Sequence, residues 1–75
     1  MPFEHMHKET CDEVIELLEG GSTRLQKLAQ KWRDLGTFSA EVGLEMMMKH
    51  LKNLTGEKDI AICRKVDATL ELARK

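Results

Sequence analysis

Residues 20 to 36 read Gly20-Gly21-Ser22-Thr23-Arg24-Leu25-Gln26-Lys27-Leu28-Ala29-Gln30-Lys31-Trp32-Arg33-Asp34-Leu35-Gly36. Leu25, Leu28, Trp32 and Leu35 recur at spacings of three, four and three, the period that lines one side of an α-helix. Arg24, Gln26, Lys27, Gln30, Lys31 and Arg33 fill the other side, so the segment is an amphipathic helix with a strongly basic outer face. Glycines bracket it, and Ser22 or Thr23 stands where an N-cap belongs. No other part of the chain shows so clear a signal, and it sets the fold class as all-α.

The pattern extends in both directions. Upstream, Phe3, Met6, Thr10, Val14 and Leu17 form a stripe with His7, Cys11 and Leu18 beside it, predicting a first helix from Pro2 or Phe3 to Glu19, with proline suited to the first turn. A competing start lies at Thr10, whose spacing to Glu13 matches a capping box. Downstream, Ser39 is the expected N-cap of a third helix from Ala40 to about Leu54. A fourth runs from near Glu57 to the C-terminus, with Ile62, Cys63, Val66, Leu70 and Ala73 on its main apolar side. Four amphipathic helices with short loops predict a small up-down four-helix bundle or a pair of helical hairpins, one that completes its core as a dimer in some arrangements. Residues 1–75 form a single domain, with no repeat and no linker long enough to divide them.

Composition narrows the function classes. A 75-residue domain buries only about 60% of the surface of its unfolded chain, so its core is marginal and a partner's surface would add to it. Twelve basic and thirteen acidic residues give a net charge of -1, which supplies no global attraction to nucleic acid or anionic membrane. The charge is unevenly placed: the first helix carries six acidic residues against one basic, and the second one acidic against four basic, so the two are electrostatically complementary. No segment approaches the roughly 18 apolar residues of a membrane span, and the N-terminal residues lack the apolar run of a secretory signal. The expected location is therefore the cytoplasm, with Cys11 and Cys63 as free thiols.

Met46, Met47 and Met48 stand in a row in a chain with five methionines. Successive helical residues point about 100° apart, so all three cannot face one core. Projection places Ala40, Leu44, Met47, Met48, Leu51 and Leu54 on the core side and leaves Met46 opposite, with Val42, Lys49 and His50. The fourth helix carries a second thin stripe, Ala61, Ala68 and Leu72, away from its main face. Methionine suits a surface that must adapt to a partner, and two helices with a spare apolar side point to protein–protein contact. The expected contact set is Val42, Met46, Lys49, His50, Ala61, Ala68 and Leu72, rimmed also by Asn53 and Lys65. Leu25, Leu28, Trp32, Leu35, Leu44, Met48, Leu51, Val66 and Leu70 are the expected core. Against this stands the plain fact that isolated exposed apolar residues are ordinary.

Other chemistries find less support. His5, His7 and Cys11 lack the close paired spacings of zinc modules, and Glu4-x-x-His7 is one half of a di-iron motif without its second copy. Gly20-Gly21 lacks the lysine and spacing of a phosphate loop, and the two serines, Ser22 and Ser39, are accounted for as caps. No catalytic residue, cofactor, metal or small-molecule substrate is expected. The second and third helices could be read as a helix-turn-helix, but the third opens Ala40-Glu41-Val42-Gly43-Leu44-Glu45, without the Arg, Lys, Asn or Gln that reach base edges. The expectation is a non-enzymatic regulator, adaptor or accessory subunit that binds another protein and itself, with nucleic-acid binding as the alternative.

Overall fold

A computed structural model describes residues 5–74. It contains α1 (Lys8–Glu19), α2 (Thr23–Leu35), α3 (Ala40–Leu51) and α4 (Glu57–Arg74), an all-α four-helix bundle. α1 packs against α2 and α4, and α4 packs against α3. The hairpins α1–α2 and α3–α4 are thus joined along α1 and α4, while α2 and α3 lack a comparable contact.

The core is drawn from every helix. Cys11, Val14 and Leu18 of α1, Leu25 and Trp32 of α2, Met47 of α3, and Cys63, Val66 and Leu70 of α4 are all essentially inaccessible to solvent. Both cysteines are free and buried, acting as small apolar residues. The Trp32 and Phe38 rings sit 4.7 Å apart at 53°, a tilted geometry of the kind aromatic pairs prefer. The α2–α3 turn is made possible by Gly36, whose φ of +77° a side chain would resist.

α1 begins later than its apolar stripe implies. His7 occupies the N-cap position with extended backbone (φ -58°, ψ 145°), and the arm before it pairs with the α2–α3 connection. The Met6 N–H donates to the Phe38 carbonyl at 3.1 Å, and His5 forms an isolated antiparallel bridge with Ser39. Met6 therefore reaches the core from an extended segment, which periodicity alone cannot distinguish from a helical one. Phe3 and the proposed start at Pro2 or Phe3 lie outside the described residues, but residues 5–7 are not helical. Thr10 is not the start either, because it already lies in the first turn and its N–H donates to the His7 carbonyl.

Ser39 caps α3 as expected, its hydroxyl accepting from the Val42 N–H at 3.2 Å. Ser22 stands at the N-cap of α2 without a side-chain cap bond. Its hydroxyl instead donates to Asp59, and its N–H donates to the same carboxylate at 3.0 Å. Asp59 is buried, 9% exposed, and lies in the first turn of α4, where a carboxylate is favoured by the helix dipole. These bonds tie the start of α2 to the start of α4 and hold Asp59 below its ordinary pKa of 3.8, with the Ser22 hydroxyl the largest cause and the Ser22 N–H the next.

Two residues expected in the core lie outside it, Leu35 at 51% exposed and Met48 at 61%. Met46, expected outside, is half-buried against the core. Gly43 supplies the reason. A Cβ placed there would stand 3.0 Å from Leu70 Cδ2 and 3.2 Å from Phe38 Cε2, so α3 meets its neighbours through the residue that has no side chain. Apolar patterning ignores glycine, yet its close approach turns the buried face by about 40° from the projected one. That rotation draws Met46 and His50 inward and turns Met48 out. Leu44 is only half-buried, and the Leu51 side chain lies outside the described set. α3 stops at Leu51, and half-buried Leu54 packs onto the core from the following loop. On α4, Ile62 is half-buried and Ala73 is exposed.

Candidate functional site

The side of the bundle where α2 and α3 face each other without close packing forms a groove of about 200 Å³ lined by Arg24, Lys27, Leu28, Lys31 and His50. Each wall follows from helical spacing. On α2, Arg24, Leu28, Lys31 and Leu35 are separated by four, three and four residues and so share one side. On α3, Val42, Met46 and His50 follow one another at four-residue intervals and share the side turned towards α2. The apolar residue in the groove's lining is buried Leu28, and Met46, one turn before His50 on α3, is half-buried against the core. Helical spacing puts two further apolar side chains on the same two helix sides, exposed Leu35 on α2 and Val42, 37% exposed, on α3.

The rim is cationic. Arg24 Nη1 donates to the Asn53 carbonyl at 2.7 Å, closing the far end of the groove over a carbonyl just beyond α3. Lys27 and Lys31 are exposed. The expected pairing of acidic α1 with basic α2 is realised at one place, the Glu19–Arg33 ion pair. Among the described residues, the other ion pairs are Lys8–Asp12 and Glu71–Arg74, leaving Arg24, Lys27 and Lys31 without carboxylate partners. Around Asn53 the groove meets a shallow recess of about 450 Å³ on the outer face of α3, formed by Glu45, Met48, Lys49, Lys52 and Asn53.

The sequence-predicted contact residues separate into two groups. His50 lines the α2–α3 groove, Val42 and Met46 share its side of α3 by spacing, and exposed Lys49 lines the outer recess with Glu45 and Met48. Ala61, Ala68 and Leu72 lie together on the exposed outer side of α4, with Leu72 at 74% exposure, and Lys65 is exposed on the same helix. Leu72 borders a recess with Thr10 and Glu13 of α1, whereas His50 faces α2. α4 lies between α1 and α3 in the packing order, so the two groups point to different sides of the bundle. Sequence reasoning missed the α2 wall as part of a site, although its basic stripe and the flanking leucines were visible.

His7 is exposed at the N-cap while Cys11 is buried, so this pair does not share a surface. Among the described residues, no three His, Cys, Asp or Glu side chains gather as a metal-binding group. No helix among them is long and apolar enough to cross a membrane. Compared with family models, curated proteins and solved structures, the chain gives no match.

Proposed function

We propose that this chain is a non-catalytic protein-interaction module whose working surface is the α2–α3 groove. The observation that carries the reading is the unclosed side of the bundle, where buried Leu28 lines a groove between α2 and α3 and exposed Leu35 and Val42 stand on the same two helix sides. An amphipathic helix laid in a groove between two helices is a recurrent mode of protein recognition, and the apolar line here supplies its seat. From Arg24 to Leu35 the wall runs about 16 Å, enough for roughly three turns of a partner helix. A surface of this size suits a modest, regulated contact rather than an obligate one.

Self-association belongs to the outer stripe of α4 in this reading, since two grooves facing each other would oppose their own lysines. Leu72 is the most exposed large apolar side chain among the described residues, and Ala61 and Ala68 leave room for close approach. Sedimentation of wild type and Leu72→Glu tests that role through the solution mass.

The reading is tested by placing a photoactivatable amino acid at Lys31 or Leu35 in the groove and at Glu16 on α1, then crosslinking in cells. Capture of a defined polypeptide from the groove positions and not from Glu16 is expected. Equal capture from Glu16, or none from the groove, overturns the proposal.

Nucleic-acid binding is the second reading, favoured by Arg24, Lys27 and Lys31, which have no carboxylate partner among the described residues. It is weakened by exposed Glu41 and Glu45, which would face phosphates if α3 entered a groove of DNA. It requires salt-sensitive binding lost in Lys27→Glu/Lys31→Glu.

A further inference from the structure

Resting on the interaction reading, we infer that the occupant of the α2–α3 groove is an acidic amphipathic helix of a partner protein. The inference comes from the combination of floor and rim. Leu28 in the groove, with Leu35 on the same side of α2 and Met46 and Val42 on the His50 side of α3, offers apolar contacts, while Arg24, Lys27 and Lys31 of α2 flank them. A partner helix matching it carries apolar residues at i, i+4 and i+7, with Glu or Asp flanking the stripe where it meets α2.

Arg24 donates to the Asn53 carbonyl and adds to the Ser22 bonds in lowering the pKa of Asp59. Among the described residues no carboxylate forms an ion pair with Arg24, Lys27 or Lys31. The acidic residues nearest in sequence do not neutralise them: the Asp34 carboxylate accepts from Gln30 at 3.2 Å, and Glu45 is exposed on the outer recess. Complementary charge steers encounter and selects among partners more than it adds affinity, so the rim acts as a filter and the apolar line as the anchor.

Other occupants fit less well. A second copy bound groove to groove would set its Arg24, Lys27 and Lys31 against the same cations. The acidic α1 of a second copy brings carboxylates but no apolar stripe, because Cys11, Val14, Ile15 and Leu18 are committed to its own core. A nucleic-acid strand has no use for apolar contacts at Leu28 and Leu35, and Trp32 and Phe38, on which bases would stack, are buried.

The test uses the full chain and four fluorescent probes: a stapled helical peptide with a leucine stripe and Glu flanks, the same peptide with Lys flanks, a Glu peptide of equal composition with its stripe scrambled, and a single-stranded DNA. Anisotropy titrations should show the Glu-flanked stripe peptide binding at least tenfold more tightly than the other three. Lys27→Glu/Lys31→Glu should weaken that peptide tenfold or more and improve binding of the Lys-flanked one. All altered positions are exposed, and circular dichroism confirms the fold. Equal binding of the Lys-flanked peptide, of the scrambled peptide or of DNA overturns the inference, as does no binding of the Glu-flanked stripe peptide. If crosslinking from Lys31 still captures a polypeptide in that case, the interaction reading stands and only the acidic character of the partner falls.

Discussion

Met47 and Met48 are adjacent in sequence and identical in chemistry, so replacing each by alanine isolates the orientation of α3. Met47 is 0% exposed and Met48 61% exposed. Truncating a fully buried methionine removes its transfer free energy and leaves a cavity, a loss of about 2–5 kcal/mol. A surface truncation is expected within about 0.5 kcal/mol of zero. A domain of this length holds only about 4–11 kcal/mol in total, so Met47→Ala should lower the melting temperature by about 10–30 °C or leave the chain unfolded. Met48→Ala should be nearly silent, and Met46→Ala, half-buried against the core, should fall between them. Urea denaturation followed by far-ultraviolet circular dichroism measures all three, with unchanged m-values showing that the unfolded states are comparable. A cost for Met48→Ala equal to that for Met47→Ala would refute the rotation of α3 and restore the projected face.

Three further outcomes are expected. Gly43→Ala should destabilise by about 1 kcal/mol, because overpacking against Leu70 and Phe38 at about 1–3 kcal/mol outweighs the gain of about 1 kcal/mol in helix propensity; a stabilised variant in the same urea assay would show that both neighbours yield. Asp59 has its folded pKa lowered by Ser22, so its stabilising contribution is present above about pH 4 and is lost as pH falls through the folded value. The stability difference between wild type and Asp59→Asn should therefore shrink on acidification, and a difference constant from pH 7 to pH 2 would count against the link. Burial pushes the Cys63 thiol up to about 11, with Asp59 and Asp67 adding to the effect, so iodoacetamide at pH 8 should modify it only through opening of the bundle; native-state labelling at the rate of a free thiol would contradict this.

The four helices were legible because each carries its own local signal. The α2 stripe from Leu25 to Trp32, the Ser39 cap and the glycines around α2 act within a few residues of their place in the chain, and the helix starts at Thr23 and Ala40 lie where those signals put them, with α4 beginning at Glu57, near where its apolar pattern opens. The site was legible in part. Val42, Met46 and His50 were identifiable as one side of α3, and the basic stripe of α2 was visible, but no periodicity states which helices will stand apart. The joining of His50, and with it the Val42 and Met46 side of α3, to Leu28 and Lys31 rather than to Ala61, Ala68 and Leu72 depends on the packing of α4 between α1 and α3.

Backbone hydrogen bonding and apolar period are local, and with them the amino-acid sequence by itself determined an all-α chain of four amphipathic helices with an acidic first helix and a basic second. Tertiary structure decided the rest. The close approach at Gly43 rotated α3 and exchanged Met46 for Met48, and pairing of Met6 with Phe38 kept the N-terminal arm extended. The Ser22 hydroxyl was drawn from its helix cap to Asp59. Each of these depends on a contact between residues distant in sequence, where the favourable energy comes from filling space or satisfying a buried polar group that no single segment contains.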